Sequence, residues 1–127
     1  MVLDYERLEH HIDEDALNIV VEEILAGLYA GKNEEQFRFE VGKWIEKWNC
    51  IRWVGYEISN IQDGKFVLKL WADVRSGRTV CGGRASVGPV FIGTLNDMKK
   101  WACTDDAKDV CLSTMRKLIL NLLYDAH

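Results

Sequence analysis

The sequence predicts a single α+β domain spanning residues 1–127. It should hold two N-terminal helices, a three- to four-stranded antiparallel meander, then a short helix and a C-terminal helix packed on one sheet face. Three observations carry this expectation. Before Cys50 the apolar residues recur with helical spacing, and after it they alternate. Turn signals punctuate the alternating region at hairpin intervals. The strands follow one another without intervening helices, which argues against a doubly wound parallel sheet.

The first helix lies in "IDEDALNIVVEEILAGLYAGK", where Leu17, Val20, Val21, Ile24, Leu25 and Leu28 share one face. Asp13, Glu14 and Asp15 sit in or just before its first turn, where the helix dipole favours acids. Gly31 is its natural stop. Asn33 then reads as an N-cap, with Gln36 completing a capping box. The second helix would follow, burying Phe37, Val41, Trp44, Ile45 and Trp48.

"IRWVGYEIS" reads as a strand, "QDG" as a turn and "KFVLKLWADV" as the next strand. In the latter, Phe66, Leu68, Leu70, Ala72 and Val74 point one way, and Lys65, Val67, Lys69, Trp71 and Asp73 the other. Asp63-Gly64 and Ser76-Gly77 are hairpin turn signals. "RTVCGGRAS" predicts a third strand, bent at Gly82 and Gly83. "VFIGT" predicts a short fourth. Thr94 with Asp97 caps a short helix, "LNDMKKW". Thr104 opens the last helix, whose buried stripe is Ala107, Val110, Cys111, Met115, Leu118 and Leu122.

A chain of 127 residues can bury a core without metal or disulfide support. Hydrophobic residues make up 48% and charged residues 28%, the balance of a water-soluble domain. No apolar run approaches the roughly 20 residues of a membrane span. The acidic N-terminus lacks the pattern of a secretory signal, so a cytoplasmic location and no membrane association are expected. Net charge is −4, and its distribution is uneven. Residues 1–50 carry 12 acids against 5 bases, whereas residues 51–101 carry 4 acids against 8 bases. Two docking surfaces of opposite sign follow from that split.

"RTVCGGRASVGP" is the stretch richest in glycine and base. A phosphate-cradling loop needs lysine and a hydroxyl after its second glycine. Here Pro89 and Val90 follow Gly88, so the metal ligand and the lysine are missing. The dinucleotide fingerprint fails as well. Cys50, Cys81, Cys103 and Cys111 contain no CxxC pair and read as reduced thiols. His10 and His11 project about 100° apart on a helix, a poor metal pair, and His127 is terminal. Ser86, Ser113 and Cys81 have no sequence-local activating partner. No cofactor or metal is expected, and no motif commits the chain to catalysis. An enzyme or small-molecule binder with a pocket between sheet and helices stays open.

Two functional expectations remain. The preferred one is a small non-enzymatic regulator that binds another protein, of the immunity, phage or viral accessory, or adaptor type. Its anchors would be the helical acids Glu6, Glu9, Asp13, Glu14 and Glu22. The alternative is a single-stranded nucleic-acid-binding module on the sheet. Lys69, Arg75, Arg78 and Arg84 would contact phosphates there, and Trp71 would stack on bases. The run "WNCIRWVGYEISNIQDGKFVLKLWADV", followed by a glycine-bearing strand and a helix, is similar in β-β-β-α order to the core of single-strand annealing proteins of recombination. That resemblance implies the nucleic-acid role, although the final helix lacks the basic character of that family. Homo-oligomerisation stays open under either reading.

Overall fold

The computed structural model of the chain describes residues 14–31, 39–40, 51–75 and 82–126. Helix α1 (Glu14–Tyr29) is followed by β1 (Phe39–Glu40), β2 (Ile51–Gln62), β3 (Lys65–Arg75) and β4 (Gly82–Thr94), then α2 (Leu95–Trp101) and α3 (Asp105–Ala126). The strands form one antiparallel sheet in the order β1-β2-β3-β4. Helices and sheet thus combine as an α+β meander.

One expectation is corrected. Phe39 and Glu40, placed in a second helix by the sequence reading, are extended and pair with Val54 and Trp53. "FRFEV" alternates at period two as readily as it fits a helical stripe, and the open edge of β2 offers backbone partners that decide between the two. The remainder of that predicted helix, with its capping box, lies outside the described residues.

Helix α1 buries Leu17, Val20, Val21, Ile24, Leu25 and Leu28, the face its spacing predicts. Gly31 ends its last turn at φ 74°, and its N–H donates to the Leu28 carbonyl at 3.0 Å. That left-handed conformation is cheap only without a Cβ. The β2–β3 hairpin turns through Asp63 and Gly64, both at positive φ (54° and 75°), as a tight hairpin of right-handed strand twist requires.

Val54 and Tyr56 of β2 and Leu68, Leu70 and Ala72 of β3 face the helices, with Met98 of α2 and Ala107, Cys111, Met115, Leu118, Ile119 and Leu122 of α3. The helical layer therefore covers one sheet face. Each fully buried Leu, Ile or Met contributes about 1.5–3 kcal/mol to that layer.

Thr94 Oγ1 accepts from the Asp97 N–H at 3.1 Å and caps α2. Thr104 Oγ1 accepts from the Ala107 N–H at 3.2 Å and donates to the Trp101 carbonyl at 2.6 Å. One hydroxyl so closes α2 and opens α3.

The predicted third and fourth strands are two halves of β4. Its register with β3 is regular from Gly82 to Val87, so the irregularity is not at Gly82 and Gly83. It falls between Val87 and Phe91, where Gly88, Pro89 and Val90 stand against Lys69 alone. Gly88 lies at φ 152°, and a Cβ there would come within 2.9 Å of Lys69 Cγ and 3.2 Å of the Leu68 carbonyl oxygen. The insertion needs glycine for lack of space.

Candidate functional site: two opposite faces

The sheet face turned away from the helices carries the basic residues singled out in the sequence. Strand alternation puts Glu57 on β2, Lys69, Trp71 and Asp73 on β3, and Arg84 and Ser86 on β4 along this face. The charges there are interleaved: Glu57 stands opposite Lys69, and Asp73 opposite Arg84. Such cross-strand pairs of opposite sign stabilise a sheet modestly.

At the centre lies Trp71, only 1% exposed although it belongs to the outer face. Its neighbour on β2 is Gly55, where a Cβ would meet Trp71 Cζ2 at 2.7 Å and Cε2 at 2.9 Å. The indole occupies the space that a side chain at residue 55 would need. From the other side Arg84 places its guanidinium carbon 4.0 Å from the ring centroid. A cation over an indole face is attracted by the ring quadrupole. Trp71 Nε1 is buried without a hydrogen-bond partner, which costs about 1–3 kcal/mol.

Lys69, Trp71 and Arg84 are therefore brought together, but the ring face a nucleobase would use is under Arg84. Arg75 ends β3 opposite Gly82, and Arg78 lies outside the described residues.

The acidic set divides in the same way. Glu6, Glu9 and Asp13 lie outside the described residues. Glu14 forms an ion pair with Arg116 of α3, and Glu22 pairs with Lys108 at 3.4 Å. These pairs are substantially exposed, so each contributes about 0–1 kcal/mol. Their effect is to hold two acids against α3.

Beside Glu22, which the sequence already names as an anchor, the structure brings together residues that the sequence does not single out for binding. Asp15, Ile19, Glu22, Glu23, Ala26 and Tyr29 are all exposed on the side of α1 away from the core. Ile19 is 42% and Tyr29 63% exposed, two large side chains among carboxylates on one surface of the helix. The signal for them was present as a second, weaker stripe at helical spacing.

Among the described residues away from these two faces, two thiols and one phenol remain to be considered. Cys103 is exposed; Cys111 is buried, and burial pushes its thiol up to about 12. Burial likewise pushes the Tyr56 phenol up to about 12. Cys50 and Cys81, together with His10, His11 and His127, lie outside the described residues. Among the described residues no three His, Cys, Asp or Glu side chains cluster as metal ligands, and no helix is long and apolar enough to cross a membrane. No known protein family, curated protein or solved structure matches the chain.

Proposed function

We propose that the protein is a small cytoplasmic regulator that acts by binding another protein through the outer face of α1. The observation that carries this reading is the exposure of Ile19 and Tyr29 between Glu22, Glu23 and Asp15. Aromatic residues are enriched among the few side chains that dominate binding energy, and a charged surround steers the encounter and selects the partner. Glu22, 3.4 Å from Lys108, places one carboxylate beside the stripe. A partner with basic side chains around an apolar contact fits this face.

The second reading, single-stranded nucleic acid on the sheet, is favoured by Lys69 and Arg84 sharing one face with an aromatic ring. It stands behind the first because Glu57 and Asp73 interrupt the positive charge and Arg84 covers Trp71.

The discriminating experiment compares two charge-altered variants in nuclease-treated capture from native lysate. Tyr29→Ala combined with Glu23→Lys should remove the partner seated on α1, and Lys69→Glu combined with Arg84→Glu should leave that partner bound. A labelled oligonucleotide titration at low salt runs beside it. Oligonucleotide binding that disappears in the sheet variant and falls steeply with salt would reverse the order of the two readings.

A further inference from the structure

We infer that the first half of β4, Gly82–Val87, is an acceptor edge for one added β-strand: an extended segment of another protein bearing an acidic side chain beside Arg84. This surface is separate from the α1 face and does not depend on it. Among the described residues β4 is the terminal strand of the sheet, with only β3 beside it. In an antiparallel pair, alternate residues turn their N–H and C=O groups away from the neighbour. Three of the six residues from Gly82 to Val87 thus present backbone donors and acceptors outward. Arg84, Ser86 and Val87 are exposed, and among the described residues the exposed large apolar side chains outside α1 (Val87, Ile92 and Leu95) lie on β4 or at the residue that follows it.

The length of the segment is set by the fold. Gly82–Val87 pairs with β3 in unbroken register, and Gly88, Pro89 and Val90 then form the insertion against Lys69. Proline has no N–H to give an incoming strand, and a bulge turns the edge aside. The edge can therefore template about six residues, roughly 20 Å of strand. A limited edge admits a short segment and resists open-ended stacking of sheets.

Charge and size choose the occupant. The only charge in "GGRASV" is Arg84. If two copies paired through this stretch antiparallel and face to face, the Arg84 side chains would stand directly opposite or diagonally, within about 8 Å, and like charges there are destabilising. Six edge residues also fall well short of the roughly 20–30 residues per side that a stable interface between folded partners uses. An extended segment avoids both problems. It adds main-chain hydrogen bonds along its length, and its alternate side chains reach both faces of the sheet. On the outer face an acid beside Arg84 continues the alternation of sign that runs from Glu57 and Lys69 to Asp73 and Arg84.

The test uses a labelled six-residue peptide of alternating valine and threonine with one glutamate, together with the same peptide N-methylated on alternate backbone amides. Titration into the isotope-labelled full chain should shift the amide signals of Gly82–Val87, and N-methylation should weaken binding at least tenfold. Exchanging the glutamate for lysine should also weaken it. Ala85→Pro and Ser86→Pro add a second arm, because strand alternation makes one of these N–H groups face outward. The variant that keeps its native unfolding midpoint should lose the peptide. The inference is overturned if no shift occurs at about 1 mM peptide, a weak limit for strand addition. Shifts confined to other strands, equal binding of the N-methylated peptide, or a solution dimer that a folded proline variant dissociates would also overturn it.

Discussion

Gly55 and Trp71 are directly opposed on β2 and β3, and the missing side chain of the one is the seat of the other's indole. A methyl group at residue 55 would fall 2.7 Å from Trp71 Cζ2, well inside contact distance. Gly55→Ala should therefore destabilise the domain by about 1–3 kcal/mol, the usual cost of overpacking. Combining it with Trp71→Leu should recover part of that loss. A double-mutant cycle from denaturant unfolding measures the coupling, and strict additivity would show that the two residues do not compete for space.

Removing the cation above the ring tests the other half of the arrangement. Arg84→Ala should cost about 0.5–2 kcal/mol and uncover one face of the indole. The Trp71 indole N–H signal should shift and exchange faster with solvent. Arg84→Lys should retain only part of the effect, because an ammonium lacks the flat surface of the guanidinium.

Stability should fall in alkali, and the sign follows from two buried acids. Cys111 rises from 9.0 to about 12 and Tyr56 from 10.0 to about 12 on folding. Above pH 9 the unfolded chain gives up the thiol proton while the folded chain keeps it, so unfolding gains with each pH unit. The phenol adds to this above pH 10. Each group contributes a slope of up to about 1.4 kcal/mol per pH unit, ending near pH 12. Tyr56→Phe should flatten the profile above pH 10 and leave the step starting at pH 9. A midpoint that stays level from pH 8 to 11 in the unaltered protein would contradict the assignment.

The two described thiols should differ in reactivity. Cys103 is exposed and should react with a disulfide reagent at once under native conditions. Cys111, at 0% exposure, should react only as the domain opens. Following the rates in Cys103→Ser and Cys111→Ser variants assigns each phase.

Thr104→Ala should cost about 1 kcal/mol, since it removes the cap of α3 and the bond back to Trp101 together. Thr104→Ser should restore most of it. Thermal unfolding of the three proteins decides the matter.

Elements whose local chemistry agrees with their tertiary role were readable from residue order. The apolar stripe of α1, the Asp63-Gly64 turn, the face alternation of β3 and both threonine caps are of this kind. Each depends on residues within a turn or two of one another. Phe39 and Glu40 were not readable, because both periods fit them and the choice rests with β2. Strand β4 was read as two pieces because Gly88 and Pro89 look like a boundary, whereas pairing with β3 continues on either side of them. The burial of Trp71 depends on Gly55 and Arg84, which are 16 residues before it and 13 after it, and no periodicity links them. The exposed stripe of α1 was legible only as a weak echo of the stronger core stripe.

The pairing of α1 with α3 has a consequence for the newly made chain. The contacts Glu22–Lys108 and Glu14–Arg116 join residues 86 and 102 positions apart, with the whole meander between them. Translation at about 5–20 residues per second leaves an interval on the order of ten seconds before α3 exists. Throughout it, Leu17, Val20, Ile24 and Leu28 have no final neighbour on that side. Nascent chains stalled before residue 105 should bind a holdase chaperone through α1, and chains released beyond residue 126 should let it go. Helix α1 thus waits for α3, made long after it, before its core face is sheltered.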